Sequence, residues 1–149
     1  MKLATALILS AILGSTSAWA VLGEPEASVA TDQRFFRGSE REEAHTGYKV
    51  HQITAKDGAV VREFVSPTGM IFEIAWQGTQ IPNLEQLLGS HMAELQTGLS
   101  SKTPRHTRGP VVLHTDQLVF VSAGRLRSFH GYAYVPGLVP ANVAPEAIR

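Results

Sequence analysis

Three apolar segments separated by two short turn signals fill the middle of the chain, and they constrain the fold more than any other feature. Asp57-Gly58 is a strong hairpin-turn signal. Pro67-Thr68-Gly69 marks a second turn, in which glycine supplies positive φ. The segments 48–55, 59–66 and 70–77 are therefore predicted to be the strands of an antiparallel meander.

The third of these segments carries the clearest period-two pattern in the sequence. We expect its apolar members on one face, which are Met70, Phe72, Ile74 and Trp76. Glu73 and Gln77 are expected on the opposite face. A buried face of this kind needs a second layer of structure to cover it.

An amphipathic helix follows the meander and is predicted to supply that layer. Asn83 is a good N-cap and Gln86 lies three residues later, as in a capping box. Gly98 is expected to end the helix. The stripe at helical spacing consists of Leu84, Leu87, Leu88, Met92 and Leu95.

The order of elements predicts an α+β domain, β-β-β-α-β-β, with a mostly antiparallel sheet on one helix. After a loop over 100–110, strands are expected at 118–122 and 125–135, and this hairpin is expected to extend the first sheet. The domain covers residues 47–136. Residues 21–46 are expected to be a poorly structured leader, and 137–149 an extended C-terminal tail.

Two details qualify these boundaries. Thr115-Asp116-Gln117 is expected to form a turn or bulge ahead of the strand at 118–122. In the leader, three apolar residues suit a short helix docked on the core, namely Val29, Phe35 and Phe36.

The first twenty residues have the three parts of a secretory signal peptide. Met1-Lys2 supplies positive charge, residues 3–13 are apolar, and Ala18-Trp19-Ala20 fits the small-residue cleavage motif. A membrane-spanning helix needs about twenty apolar residues, more than this run contains. We therefore expect export, cleavage after Ala20, a mature chain without a transmembrane segment, and a periplasmic or secreted location.

Charge and cysteine content exclude several function classes. The chain has 13 basic and 13 acidic residues, and cleavage removes Lys2 and no acid, so the mature charge is 12 − 13 = −1. A near-neutral chain of this kind is not expected to bind nucleic acid. With 0 cysteines, the chain has no disulfide, thiolate nucleophile or cysteine-held iron–sulfur cluster, and no bacterial-type lipid anchor.

Several segments resemble an uncharacterised exported bacterial family, the domain of unknown function 2844. They span most of residues 21–140. The resemblance implies export from a Gram-negative-type cell and brings no catalytic residues with it. The matching segments are 57–66, 72–78 continuing through Pro82, Leu84, Leu87, Leu88 and Gly89, 122–131 with Ala133 and Pro136, and Leu22, Gly23, Ser28, Val29 and Asp32.

Histidines and carboxylates offer only weak catalytic or metal candidates. No two of the six histidines lie closer than six residues, whereas metal sites use closely spaced ligands; they are His45, His51, His91, His106, His114 and His130. Glu63 and Glu73 lie on neighbouring strands, but we expect Glu63 on the solvent face. Neither a metal nor a cofactor is expected.

Arginine and aromatic side chains on the predicted sheet are the candidates for a recognition surface, although the aromatic members also suit core packing. They are Arg62, Trp76, Arg125, Arg127, His130, Tyr132 and Tyr134. We expect a non-enzymatic module that binds an envelope protein or cell-envelope material.

Two alternatives to a binding module remain open. A small hydrolase or metal-dependent enzyme would need His114, Asp116 and His130 to converge in one pocket. A carrier of a small apolar ligand would need a cavity beneath Leu88 and Met92.

Overall fold

One antiparallel sheet of seven strands organises the part of the chain described by the computed structural model, residues 22–101 and 109–148. The spatial order is β1-β2-β3-β4-β7-β6-β5. The elements are α1 (Val29–Phe36), β1 (Ser39–His45), β2 (Tyr48–Thr54), β3 (Val60–Val65), β4 (Ile71–Gly78), α2 (Leu84–Leu88), α3 (His91–Ser100), β5 (Val111–His114), β6 (Val119–Arg125) and β7 (Ser128–Tyr134). The predicted signal peptide and residues 102–108 of the predicted loop lie outside the described residues.

The mixed α+β class with a mostly antiparallel sheet is confirmed. The C-terminal hairpin extends the first sheet because β7 pairs with β4, at Ile74 opposite Ala133. The simple β-β-β-α-β-β order is wrong in detail, since β1 and β5 are additional strands and the helical layer has several pieces. No helix in the described ranges is long and apolar enough to cross a membrane.

The two faces of the sheet are covered differently. The helix-covered face bears the main core, in which Ile53, Ile74 and Phe120 pack with helix residues such as Leu87 and Leu88. The other face, here called the tail face, carries a smaller cluster of Val50, Phe64, Phe72 and Ala75. The residues of the C-terminal tail that pack there are Leu138, Val139, Val143 and Ile148.

A β-bulge in the β3–β4 pair changes the facing predicted for the third strand. Phe64 pairs with Glu73, but its neighbour Val65 pairs with Ile71, so Phe72 is an extra residue. Phe72 consequently packs on the tail face, whereas Ile74 and Trp76 belong to the main core. The prediction of one apolar face containing both Phe72 and Trp76 is wrong, because an inserted residue shifts the period-two pattern.

The N-terminal segment is also more structured than the sequence suggests. The predicted poorly structured leader contains a 3₁₀ turn (Glu26–Ser28), helix α1 and strand β1. Val29 of α1 is buried in the main core. All seven residues of β1 are exposed. Because an exposed edge strand has no buried face, it carries no alternation of apolar residues for sequence reasoning to detect.

The predicted single helix is divided into α2 and α3. Asn83 accepts a hydrogen bond from the Gln86 amide at 2.9 Å, as the capping prediction requires. Gly89 then adopts a φ of 48° and ends α2. Gly98 lies inside α3 instead of ending it, and a Cβ there would be 2.5 Å from Leu113. This glycine lets α3 approach β5 closely.

The C-terminal tail is not simply extended. It contains two 3₁₀ turns, Pro136–Leu138 and Pro145–Ala147, which carry it back across the sheet. The Val135 amide donates to the Phe72 carbonyl at 3.0 Å and anchors the start of this path. The tail therefore forms part of the folded domain.

Candidate functional site

The residues predicted to form a recognition surface are divided between the two faces of the sheet. Trp76 is 3% exposed and packs in the main core, with its ring centroid 5.7 Å from that of Phe120. It pairs with Val61 and Gly131, which places it on the helix-covered face. Trp76 is therefore a packing residue and does not belong to an exposed surface.

The other predicted residues lie on the tail face or at the β6–β7 turn. Cross-strand pairing places Arg62 beside Ala75 and Ala75 beside Tyr132 on one row. Gln77 pairs with His130 on the next row. Because opposite residues of an antiparallel pair share a face, these side chains project to the same side.

Three adjoining depressions occupy this region, and His130 lines all three. The first measures about 260 Å³ and lies between Arg62 and Tyr132. The second measures about 420 Å³ and is bordered by Arg127. The third measures about 900 Å³ and is bordered by Arg125. We call the residues Arg62, Gln77, Arg125, Arg127, His130 and Tyr132 the cationic surface.

The three depressions of the cationic surface contain basic residues and, in the part of the chain that the structure describes, no acidic ones. Arg62, Arg125 and Arg127 make no ion pair with any described residue. A smaller depression of about 190 Å³, bordered by both Arg62 and Glu43, ends the surface on the β2 side.

Acidic side chains gather at the opposite edge of the sheet. Strand β1 carries Glu40, Glu42 and Glu43, and the sheet order places β2, β3 and β4 between it and β7. The chain is nearly neutral overall, but its charges are separated in space. This separation gives the cationic surface a positive potential that the net charge does not reveal.

The two tyrosines have different surroundings from the arginines. Tyr132 and Tyr134 stack with centroids 6.5 Å apart, and both are half-buried. Tyr132 also packs against the cluster covered by the C-terminal tail. Tyr132 therefore borders the cationic surface, whereas Tyr134 lines none of its three depressions.

The structure separates the residues proposed for a small hydrolase or metal enzyme. His114 pairs with Val119, and Val119 pairs with Tyr134, so His114 lies on the same cross-strand row as Tyr134. His130 lies four residues away from Tyr134 along β7. Four steps along a strand amount to about 13 Å, before the spacing between strands is added. His114 and His130 therefore do not converge, and the arrangement that this alternative requires is absent from the described residues.

The carrier alternative meets a filled core. Leu88 is fully buried and Met92 packs against the same cluster. Neither residue lines any of the four surface depressions given above. These observations favour close packing beneath the helices over a ligand cavity.

A buried acid pair lies between α1 and β3, and sequence reasoning missed it. Asp32 and Glu63 are each 1% exposed. The side-chain amide of Gln86 donates to Asp32 Oδ1 at 2.6 Å. Glu63 is thus in the core and not on the solvent face, and Glu73, on the tail face, does not pair with it. Glu63 pairs with His51 and Ile74 on the helix-covered face.

The acid pair retains protons more strongly than ordinary carboxyl groups. Burial raises the pKa of Asp32 to about 6, although hydrogen bonds with Glu63 and Gln86 oppose that rise. Burial also raises the pKa of Glu63 well above its ordinary value, and the charge of Asp32 raises it further. Neither oxygen of the Glu63 carboxyl makes a hydrogen bond of ordinary geometry with a described residue, and a buried carboxyl without such partners favours its protonated form.

A second network joins the N-terminal segment to β2. His51 Nδ1 lies 2.6 Å from Glu40 Oε1, and its Nε2 lies 2.9 Å from Glu26 Oε1. Lys49 Nζ also contacts Glu26 and lies 4.0 Å from Glu42. The hydrogen bond from Lys49 is the main cause that lowers the pKa of the Glu26 carboxyl.

This second network includes a group with metal-ligating atoms. One oxygen each from Glu26 and Glu42 and a nitrogen of His51 lie within 4.8 Å of one another. The Lys49 ammonium already contacts Glu26 and approaches Glu42. Because a cation of the protein itself occupies this position, we interpret the group as an ion-pair network that holds the N-terminal segment.

Comparisons with known proteins identify the family. No curated protein and no solved structure matches the chain. The family described as Protein of unknown function (DUF2844) matches residues 18–148. This match covers most of the chain and confirms the resemblance seen in the sequence. The chain belongs to the family of proteins of unknown function 2844.

Proposed function

We propose that the protein is an exported, non-enzymatic binding module that holds an anionic partner of the cell envelope on its cationic surface. The observation that carries this proposal is the set of three adjoining depressions that share His130 and contain arginine but no described acidic residue. Unpaired arginines on a concave surface are suited to binding carboxylate or phosphate groups.

The accessibility of the arginines supports this role. Arg125 and Arg127 are exposed, and Arg62 is half-buried in the sheet row beside Ala75. A guanidinium group with no partner in the protein retains its donors for a ligand. The clustered positive charge also accelerates encounter with an anionic partner, and salt weakens that attraction.

Export is the second part of the proposal, and it rests on the sequence of residues 1–20. The start of the described fold is compatible with it. Leu22 is buried, and its amide donates to the Leu87 carbonyl at 3.0 Å. Cleavage after Ala20 would therefore leave the whole folded domain in the mature chain. The intact mass of the exported protein tests this, and a chain that still carries residues 1–20 would contradict it.

Retention on the host's envelope fraction tests the binding proposal. We expect the purified mature protein to sediment with that fraction at low salt and to be released as salt rises. Arg62→Gln with Arg125→Gln removes two charges from the cationic surface, and retention should fall by about tenfold or more, since a charge-assisted contact contributes about 1.5–3 kcal/mol. Arg34→Gln with Arg37→Gln removes two exposed charges in and after α1, outside the three depressions, and serves as the matched control. Equal retention of both double variants would overturn the proposal.

A further inference from the structure

We propose that the anionic partner is an acidic polysaccharide, whose carboxylate-bearing sugars lie along β7 across the three depressions. This inference rests on the proposed binding function and specifies its ligand. It is argued from the donors that the surface offers, the small residues that line it and its length.

The donors of the first two depressions are side chains. These depressions lie over β4 and β7, which are inner strands paired on both sides, with β3 and β6 as neighbours. Their backbone groups are engaged in the sheet ladder. Extended peptides are usually recognised by main-chain hydrogen bonds at a free strand edge. These two depressions offer guanidinium, imidazole and amide groups instead, which suit hydroxyl and carboxylate oxygens.

Alanine and glycine residues contribute to the lining of each depression. Ala75 and Gly131 lie in the first depression, Gly58 and Gly78 in the second, and Gly109, Ala123 and Gly124 in the third. Protein partners commonly insert large apolar or aromatic anchors into deep pockets. Small lining residues instead leave room for flat, polar rings, and Tyr132 borders the first depression with aromatic surface.

The depressions also extend along the strand. The first reaches Tyr132, the other two reach Ser128, and His130 is common to all. The interval from Ser128 to Tyr132 corresponds to about 13 Å of extended strand. A ligand that contacts both ends must be longer than one sugar ring, so a polymer fits this surface better than a free anion.

Arginine recurs along this length. Arg62 borders the first depression, Arg127 the second and Arg125 the third. Arg62 lies on the row of Tyr132, whereas Arg125 and Arg127 both lie near Ser128. A chain with carboxylates on separate sugars can therefore meet positive charge at both ends of this length. Such repeated contacts add to the overall affinity, and each weakens as salt rises.

Binding to three defined polymers tests the inference. The purified mature protein is titrated with polygalacturonate, with the neutral polymer dextran and with poly-glutamate, and each affinity is measured by calorimetry at two salt concentrations. We expect binding to polygalacturonate that is at least tenfold tighter than to poly-glutamate, with no measurable binding to dextran. Arg62→Gln with Arg125→Gln should weaken polygalacturonate binding about tenfold or more, whereas Arg34→Gln with Arg37→Gln should leave it unchanged.

The other outcomes are separable from failure of the proposed function. Binding to poly-glutamate as tight as to polygalacturonate would overturn the polysaccharide assignment and indicate an acidic protein partner. No binding to either polymer, with arginine-dependent retention on the envelope fraction, would overturn the polysaccharide inference alone. Retention that does not depend on Arg62 and Arg125 would overturn the proposed function itself.

Discussion

Asp32 on α1 and Glu63 on β3 approach each other in the core, where each is 1% exposed and the charge of Asp32 raises the pKa of Glu63. A contact between two carboxyl groups is stable only while a proton remains between them. The folded chain therefore holds more protons at this position than the unfolded chain does. This difference makes the docking of α1 on the sheet dependent on pH.

The acid pair predicts that stability falls as pH rises above about 4. The pKa of both carboxyl groups is raised in the folded state, so the unfolded chain loses these protons at lower pH than the folded chain does. The free energy of unfolding therefore decreases as pH rises, until pH exceeds the pKa values of the folded state. For Asp32, the rise from 3.8 to about 6 corresponds to a penalty on the order of 3 kcal/mol. Glu63→Gln replaces the Glu63 carboxyl group with an uncharged amide, which can donate a hydrogen bond to Asp32 at any pH. The variant should therefore be more stable than the wild type at pH 7, and its stability should depend less on pH.

Urea unfolding of both proteins between pH 4 and pH 8 checks this prediction. Glu85→Gln, an exposed change on α2, is the matched control and should leave the profile unchanged. Glu26 acts with the opposite sign, because its lowered pKa adds stability that is lost only as pH falls below about 4.5. A wild-type stability that rises steadily from pH 5 to pH 8 would contradict the account of the acid pair.

Gly131 is expected to be essential for the packing of Trp76. A Cβ at residue 131 would lie 2.4 Å from Trp76 Cζ2 and 2.6 Å from the Val121 carbonyl oxygen. Gly131→Ala should therefore lower the free energy of unfolding by about 1–3 kcal/mol, the usual range for overpacking. Gly137→Ala introduces the same methyl group where nothing lies within 4 Å and should have little effect. Chemical unfolding followed by tryptophan fluorescence compares the two variants, and equal stabilities would contradict the packing described.

The C-terminal tail is expected to protect the smaller apolar cluster. Leu138, Val139 and Val143 pack against the cluster that contains Phe64 and Phe72. A chain that ends at residue 136 should lose several kcal/mol of stability, since burying each large apolar side chain contributes about 1.5–3 kcal/mol. It should also bind a hydrophobic fluorescent dye more strongly than the full mature chain. Unchanged stability and dye binding would show that the tail does not cover this face.

The meander and the capped helix are predictable from the sequence because their signals are local. Asp57-Gly58 forms its turn where predicted, and Asn83 caps α2. The facing of Phe72 is not predictable in this way, because it depends on the bulge opposite Val65 and hence on how two strands pair. A period-two pattern alone cannot reveal an inserted residue.

The cationic surface and the acid pair also differ in how far the sequence predicts them. The arginines of the cationic surface were identified by residue type, and the fold places Arg62, Arg125 and Arg127 around three adjoining depressions that share His130. The acid pair was missed because Asp32 and Glu63 are far apart in sequence and each resembles a surface acid. Only the packing of α1 against the sheet brings them together.

Two arginines offer the most direct test of the central claim, because both adopt positive φ. They are Arg37 after α1, at 50°, and Arg127 in the β6–β7 turn, at 63°. Glycine is favoured at such positions, so Arg127→Gly and Arg37→Gly should each keep or raise stability, by up to about 1 kcal/mol. Only Arg127 borders the cationic surface.

The decisive measurement is therefore the salt-dependent retention of these two variants and the wild type on the host's envelope fraction. Both variants lose one positive charge at a similar backbone conformation, so folding and net charge are matched. The account predicts that Arg127→Gly is retained several-fold more weakly than the wild type, while Arg37→Gly is retained as well as the wild type. Equal retention of the two variants would contradict the claim that this surface is the binding site.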